Sequence, residues 1–337
     1  MNHVNIGIVG LGWVAQVVHI PILDKLPDAS VVAVCDTDKA RARYVSDKLG
    51  IKNVYTDLDK MLKQEQIDAV HVCTRTDSHA PVAIACMEAG KDVLVEKPLA
   101  RTYDEASRIV QVAKETNRKL MVGMNTRFRP DAMILRSFIK AGELGDIFYT
   151  KSGWLQRQTN NKTWRTRKEV AGGGVFIDTG IVILDMSLWM MGYPDIERVS
   201  AMAYYHETEH VEDSGVIMLR MVNGATITIE VSWSLNIEDD IFYCNVFGTR
   251  GSARLNPLRL NKQLHGNIVN MTPAKLEKPQ SLYKRSYENE IRHFIGAVRG
   301  LHPIISTGSE ALQRMKILEA MYESVKTRSE VSVAKGQ

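Results

Sequence analysis

A lysine at the end of a short apolar stretch could handle a proton. Residues Val95-Glu96-Lys97-Pro98 close a run whose apolar side chains predict a β-strand. Pro98 restricts the backbone of the residue before it, and so fixes where the Lys97 side chain points. A lysine held near a reacting oxygen can donate a proton to a carbonyl or stabilise an alkoxide. Lys97 is therefore our candidate acid/base, although a solvent-exposed loop lysine would show the same local sequence.

A glycine-containing turn near the start of the chain predicts a dinucleotide site. It matches G-x-G-x-x-A, follows an apolar strand over Val4–Val9 and precedes a helical pattern from Val14 to Leu26. In such a turn the first glycine permits a tight bend, the second lets the backbone approach a pyrophosphate, and the alanine allows close helix–strand packing. The helix N-terminus adds amide donors and the positive end of its dipole. The six residues of the motif are Gly10, Leu11, Gly12, Trp13, Val14 and Ala15.

A carboxylate at the end of the second predicted strand favours one cofactor. Asp36 follows the motif by about 20 residues, where an acidic side chain accepts hydrogen bonds from the hydroxyls of an adenosine ribose. A carboxylate there repels the additional phosphate of NADP, so we predict NAD in preference to NADP. Arg41 and Arg43, on the helix that follows, would weaken this preference.

Two patterns of elements would position these residues. Up to residue 123, short apolar strands alternate with helices, which predicts an α/β Rossmann domain with a doubly wound parallel sheet. From residue 124 to 337, longer alternating strands and the Asn223-Gly224 turn predict an α+β domain. Its sheet is mainly antiparallel, with a helix from Asp178 to Met191 packed on it. The last helices would pack back toward the first domain.

Composition excludes several classes of protein. The 337 residues suit two domains, and 43 basic against 39 acidic residues, scattered along the chain, give no nucleic-acid footprint. The four cysteines lack paired spacing, which predicts reduced thiols and a cytoplasmic location. The start of the chain does not look like a signal peptide. The apolar run from Val175 to Met191 is interrupted by Asp178 and Asp185, so we predict no membrane partner.

Together these motifs resemble the glucose–fructose oxidoreductase, inositol dehydrogenase and MocA (Gfo/Idh/MocA) family. The resemblance rests on the glycine fingerprint, on Glu96-Lys97-Pro98, and on the segment that runs from Gly172-Gly173-Gly174 through Asp178 and Gly180 to Asp185. It extends over almost the whole chain and includes further matching positions: Thr74, His79, Asn125, Arg127, Trp164 and Arg165.

The resemblance implies an oxidoreductase that moves a hydride between NAD and a carbinol carbon of a sugar, inositol or related polyol. Lys97 and Asp178 would be catalytic, and no metal is implied. The glycine motif and Asp36 would hold the cofactor together with Thr74, His79, Glu96, Lys97 and Asn125. The substrate would meet Lys97, Arg127, Trp164, Arg165, Asp178 and Val182. The second sheet would form a homodimer or homotetramer.

One departure from the family pattern leaves alternatives open. The family usually has a histidine four residues after the aspartate matched by Asp178, and this chain has Val182, which cannot shuttle a proton. Either Lys97 works alone, or another group replaces the imidazole, or the alcohol–ketone chemistry is lost. The last case would leave a catalytically decayed cofactor-binding protein. A redox-neutral, NAD-dependent glycoside-cleaving enzyme is a further reading. Arg75 is a second departure, because the family often has proline there.

Two histidine signals remain ambiguous. His206-Glu207-Thr208-Glu209-His210 matches the zinc-protease pattern H-E-x-x-H, but it lies in a polar connection between two predicted strands, so we interpret it as a charged loop. His19, near the start of the cofactor helix, either lies near the cofactor or forms part of a cleft wall.

Overall fold

The computed structural model describes residues 3–63, 66–158, 163–276 and 278–333. The chain divides into two compact units. The first comprises Met1–Asn125 and Tyr287–Leu312, and the second comprises Thr126–Ser286 and Gln313–Gln337. A late stretch of chain thus belongs to the first unit, so the second unit is discontinuous in sequence.

The first unit contains a six-stranded, entirely parallel sheet in the order β3-β2-β1-β4-β5-β6. This order is the Rossmann arrangement, in which ligands bind where the strand order reverses, beyond the carboxyl ends of the strands. The central strands are buried on both faces, which explains their continuous apolar sequence. The strands are β1 (Val4–Val9), β2 (Ala29–Cys35), β3 (Asn53–Tyr55), β4 (Ala69–Val72), β5 (Asp92–Glu96) and β6 (Leu120–Gly123).

Helices follow the strands of this sheet. They are α1 (Ile20–Leu23), α2 (Lys39–Leu49), α3 (Leu58–Leu62), α4 (His79–Glu88) and α5 (Tyr103–Glu115). The Thr102 side chain accepts from the Glu105 N–H and caps α5. Where one regular helix is predicted after the glycine motif, the structure has a π turn, Ala15–His19, followed by the short α1.

The second unit is built on a nine-stranded sheet in the order β14-β13-β12-β11-β7-β10-β9-β8-β15. All neighbours are antiparallel except β7 and β10. The predicted α/β class with a largely antiparallel second sheet is therefore confirmed. The strands are β7 (Ile147–Arg157), β8 (Ile196–Tyr204), β9 (Ser214–Met221), β10 (Thr226–Leu235), β11 (Ile241–Gly248), β12 (Gly251–Leu255), β13 (Arg259–Leu264), β14 (Asn267–Asn270) and β15 (Val331–Ser332).

The helices of the second unit begin with α6 (Pro130–Lys140), α7 (Lys168–Ala171) and α8 (Ile181–Met191). A π turn, Phe176–Gly180, precedes α8. The helical stretch Lys168–Met191 is long and apolar enough to cross a membrane by composition, but 89% of its apolar window is buried inside the protein. This burial is typical of a core helix in a soluble protein. The last two helices are α9 (Pro279–Val298) and α10 (Gly308–Thr327), each of which the unit boundary divides.

Candidate active site

The glycine turn after β1 has the backbone that its sequence predicts. Gly10 has φ +87°, and a Cβ there would lie 2.7 Å from the carbonyl carbon of Cys73. Only glycine fits such a position. A Cβ at Gly12 would meet nothing within 4 Å, so the backbone there borders open space. Because a pyrophosphate requires this close approach to the backbone, the turn fits a dinucleotide.

Asp36 is tied to this turn. Only 6% of the residue is exposed, and its Oδ2 accepts a hydrogen bond of 2.8 Å from the Leu11 N–H. Its Oδ1 accepts from the Asp38 N–H, also at 2.8 Å. Arg41 approaches from α2, with Nη1 3.2 Å from Asp36 Oδ2 and Nη2 3.3 Å from Asp38 Oδ2. The carboxylate therefore stands beside the turn, as ribose binding requires, with one guanidinium next to it.

The remaining motif residues line the turn in different ways. Ala15 is buried, Val14 is half-buried, and Trp13 projects into solvent with 62% of its surface exposed. Gln16 donates through its amide to the Leu11 carbonyl at 2.7 Å, which braces the turn from inside.

Lys97 and Glu96 come at the carboxyl end of β5. Lys97 is half-buried and joined to Pro98 by a cis peptide bond, and Glu96 is 8% exposed. Glu96 Oε1 lies 2.8 Å from His19 Nε2. Burial raises the pKa of Glu96, but the hydrogen bond to His19 and the positive charges of His19 and Lys97 outweigh it and hold that pKa below its ordinary value. Glu96 is thus a carboxylate next to the candidate acid/base.

His79 braces the same loop and is almost fully buried. Its Nδ1 lies 2.7 Å from the Pro98 carbonyl, and its Nε2 lies 3.1 Å from the Thr74 carbonyl. Burial lowers the pKa of His79, while the two carbonyls oppose this by favouring the protonated ring. Thr74 is half-buried at the end of β4, and the exposed Arg75 forms an ion pair of 2.9 Å with Asp77. The sequence predicted neither His79's link to Pro98 nor the partner of Arg75.

Three predicted substrate residues of the second unit lie together. Arg165 Nε is 3.9 Å from Asp178 Oδ2, and the guanidinium carbon of Arg165 lies 5.8 Å from the centre of the Trp164 ring. The Asp178 side chain is 21% exposed and that of Arg165 is 57% exposed. An aromatic face beside an ion pair suits a ring that carries hydroxyl groups.

Glu212 fixes the glycine segment that leads to Asp178, a role that the sequence analysis missed. Its Oε1 accepts from the N–H groups of Gly174 and Phe176 at 3.0 Å each, and from the Tyr322 hydroxyl at 2.9 Å. A Cβ on Gly174 would come within 2.0 Å of the Glu212 carbonyl oxygen, and one on Gly173 would collide with Tyr322. The glycines are therefore needed for packing. No local spacing signals a partner so distant in the sequence.

Val182 is buried, with 4% of its surface exposed, whereas Asp178 remains accessible. The π turn Phe176–Gly180 lies between them. A π turn takes up one residue more than an α turn and changes the face on which later side chains lie. Val182, predicted to contact the substrate, is thus a buried side chain, whereas the Asp178 carboxylate reaches the surface.

Arg127 belongs to a buried ionic cluster. Its Nε and Nη2 donate to the two oxygens of Asp185 at 2.7 and 2.6 Å, and Arg314 Nη1 and the Tyr193 hydroxyl each lie 2.5 Å from Asp185 Oδ1. Arg127, Asp185 and Arg314 are 0% exposed. A substrate contact through Arg127 would require this cluster to open. Asn125 is half-buried and begins the short 3₁₀ turn Asn125–Phe128.

The H-E-x-x-H match lies in an irregular connection between β8 and β9, as interpreted from the sequence. Asp213 Oδ2 accepts from the N–H groups of His206, Glu207 and Thr208, so a carboxylate organises this loop. Within the described part of the chain, no group of three or more metal-ligating side chains is arranged to hold an ion.

Comparison with known proteins identifies the chain's relatives. A model of an oxidoreductase family with an NAD-binding Rossmann fold matches residues 4–124, and the model of that family's C-terminal alpha/beta domain matches residues 136–333. The chain is 28% identical to D-glucoside 3-dehydrogenase of Escherichia coli K12, with 97% of each chain covered. It is 26% identical to myo-inositol 2-dehydrogenase of Thermotoga maritima, with 97% of this chain and 98% of the relative covered.

The fold is also shared with solved structures. Levoglucosan dehydrogenase in complex with NADH and L-sorbose superimposes with a TM-score of 0.91, and all of each chain is covered. Sequence identity is 22%, so this likeness shows the common fold.

Proposed function

The chain belongs to the Gfo/Idh/MocA oxidoreductase family, and on that basis we propose that it is an NAD-dependent dehydrogenase of a small polyhydroxylated substrate. The observation that carries the proposal is the convergence of three loops in the first unit. Gly10, Thr74 and Lys97 follow β1, β4 and β5, which are adjacent in the sheet. Parallel strands place their carboxyl ends at one edge, where dinucleotides bind.

The backbone at Gly10, Leu11 and Gly12 would hold the pyrophosphate, and Asp36 would accept from the adenosine ribose. Thr74, His79, Glu96 and Asn125 would border the cofactor with Lys97. NAD, when bound, supplies a nicotinamide carbon that accepts or returns a hydride. Asp36 supports NAD over NADP, since a second negative group beside this buried carboxylate is disfavoured. Arg41, already paired with Asp36 and Asp38, moderates that selectivity.

Lys97 takes the proton of the substrate hydroxyl as the alcohol is oxidised, and returns it in the reverse direction. Asp178 orients the substrate hydroxyls, and Trp164 and Arg165 contact the substrate ring. Because Val182 stands where the family usually has a histidine, Lys97 acts without an imidazole as a second acid/base. One general acid–base group contributes roughly 10²–10⁴-fold to a rate, which leaves the reaction accessible to a lysine alone.

A sugar, an inositol or a related polyol fits the proposed activity. The support comes from relatives named for glucosides and inositol, and from the Trp164–Arg165–Asp178 cluster. All four cysteines are free and buried, which suits the proposed reducing, cytoplasmic location. Division of the chain into an NAD-binding domain over residues 1–123 and a substrate and oligomerisation domain over residues 124–337 is part of the same proposal.

The test is NADH formation from NAD across a panel of sugars, inositols and sugar derivatives. We expect steady-state turnover on at least one polyol, with stoichiometric ketone product. Tight NADH binding without turnover on any compound would instead favour a catalytically decayed protein, the alternative that Val182 motivates. Glycoside cleavage without net NADH would favour the redox-neutral reading.

A further inference from the structure

His19 lies at the end of the π turn that follows the glycine motif. The Ile20 N–H donates to the Ala15 carbonyl, five residues back, and this bond closes the turn. The extra residue directs the His19 ring into the interior, where 0% of it is exposed. Such π turns are costly single insertions and occur frequently at functional sites. A buried, polar side chain therefore lies one turn beyond the predicted pyrophosphate site.

Both ring nitrogens of His19 are engaged. Nε2 lies 2.8 Å from Glu96 Oε1, and Nδ1 lies 2.9 Å from Nδ1 of His71, which is also 0% exposed. A carboxylate can only accept hydrogen bonds, so the His19 Nε2 carries the proton of its bond to Glu96. The bond between the two Nδ1 atoms needs one further proton, held by one of the two rings. His71 meets Phe294 edge to ring at 5.3 Å between centroids.

The surroundings decide which ring is charged. Cys73, Tyr287 and Glu290 lie about His19 and its partners, and His79 and Lys97 face Glu96. Burial raises the pKa of Cys73, whereas the charge of His19 and its hydrogen bond oppose that rise. Burial lowers the pKa of His71 far below its ordinary value, and a positive His19 lowers it further. Burial also opposes a charge on His19, but interactions with Cys73 and with Glu96 raise the pKa of His19 well above its ordinary value. His19 is thus the imidazolium and His71 its neutral acceptor.

We propose that His19 is a positioning residue that keeps Glu96 ionised and fixed beside Lys97. The role of Lys97 rests on the proposed function, whereas the pairing of His19 with Glu96 stands on geometry. A buried carboxylate without a partner takes up a proton, because burial disfavours its charged form. His19 gives the Glu96 carboxylate a positive charge at a fixed position and an N–H that points at it. The half-buried Lys97, on its flexible side chain, cannot provide both.

The consequence for Lys97 is electrostatic. Lys97 interacts electrostatically with the Glu96 carboxylate, and protonation of Glu96 would remove that interaction. His19 therefore acts on the acid/base through Glu96 and never touches the substrate.

The first test needs no cofactor. In protein with ¹³C-labelled glutamate carboxyl carbons, the Glu96 signal is assigned by its loss in Glu96→Gln and is then titrated. We expect Glu96 to remain ionised to the lowest pH at which the protein stays folded. In His19→Gln, its protonation moves upward by about 1–3 pH units, the amount typical for loss of a neighbouring opposite charge. His302→Gln, which removes an exposed imidazole of the same unit, leaves the titration unchanged. An unchanged titration in His19→Gln overturns the proposal.

A second measurement does not depend on the stability of any variant. ¹⁵N spectra of the histidine rings in the wild-type protein are expected to show His19 protonated on both nitrogens at pH 7, and His71 neutral. A neutral His19 overturns the proposal. Because both spectroscopic tests use protein without NAD, they hold or fail separately from the dehydrogenase activity.

The third measurement links the pair to Lys97. In His19→Gln, the acid limb of the pH profile of kcat/KM, which is assigned to loss of the Glu96 charge, is expected to move upward by the same 1–3 pH units, roughly. In a Glu96→Gln background, adding His19→Gln is expected to leave the pH profile unchanged, because each substitution removes the same interaction between His19 and Glu96. An equal shift in both backgrounds would mean that His19 does not act through Glu96, and the positioning role would be withdrawn.

Discussion

Asp36 combines two tasks in one carboxylate. It accepts the Leu11 and Asp38 N–H groups and so shapes the turn, while its position beside Arg41 bears on cofactor choice. The sequence predicts Asp36 from the motif and its spacing alone. It does not reveal that Arg41 pairs with this carboxylate, because side-chain direction on α2 depends on how that helix meets the sheet.

Substituting Asp36→Asn tests the proposed selectivity. The amide keeps the size of the side chain and can still accept hydrogen bonds, but it no longer repels a phosphate. We expect NAD to bind at least about tenfold more weakly, because a charge-assisted hydrogen bond contributes roughly 1.5–3 kcal/mol, and NADP to bind more tightly. Calorimetric titration with both cofactors measures this. The exposed Asp47→Asn on α2 is the control, and an unchanged NAD-to-NADP ratio in Asp36→Asn would refute the selectivity argument.

At the scale of elements, the strands were predictable and the helical irregularities were not. β1 begins and ends where its apolar run predicts, because a buried parallel strand must be continuously apolar. The π turns at Ala15–His19 and Phe176–Gly180 were missed, since apolar spacing does not distinguish one extra residue in a helix. The hairpin β13–β14 and the helix α9 were also missed, because both are rich in polar residues.

The candidate site was predicted in the same uneven way. Motifs identified the residues that border the glycine turn and Lys97, and the structure brings Thr74, His79, Glu96 and Lys97 together at one sheet edge. The partners that hold the glycine segment and His19, namely Glu212 and His71, come from distant segments of the sequence. Their contacts depend on tertiary packing, which no local pattern encodes.

The glycine turn offers a matched pair of variants. Gly10→Ala would force a Cβ against the Cys73 backbone at a positive φ, and we expect a loss of about 1–3 kcal/mol in the free energy of unfolding. Gly12→Ala meets open space, so its thermal unfolding should match that of the wild type. It should nevertheless weaken NAD binding by at least about tenfold if the backbone at Gly12 faces the pyrophosphate. Normal NAD affinity in a folded Gly12→Ala protein would contradict the assigned cofactor position.

At the scale of the whole molecule, we propose a homodimer or homotetramer formed through the nine-stranded sheet. Met202, Val216 and Met218 are 62%, 45% and 45% exposed. Val216 and Met218 alternate along β9, and Val216 pairs with Met202 across β8, so the three project from one face. Adjacent exposed apolar side chains of this kind mark association surfaces.

Met218→Glu tests this assembly. A charge at the centre of a buried, self-associating face opposes dimerisation, so we expect light scattering after size-exclusion chromatography to show a smaller species than the wild type. Val222→Glu places the same charge on an exposed residue in the turn after β9, and is expected to leave the mass unchanged. A monomeric wild-type protein would rule out the proposed oligomer.

The central claim is that Lys97 handles the proton as hydride leaves the substrate carbon. The most direct measurement is kcat/KM of Lys97→Met on the polyol that the wild-type enzyme oxidises best, together with NAD affinity by calorimetry. The account predicts a fall of about 10²–10⁴-fold in kcat/KM, NAD affinity close to that of the wild type, and no loss in the exposed-lysine control Lys60→Met. Wild-type kcat/KM in Lys97→Met would contradict it.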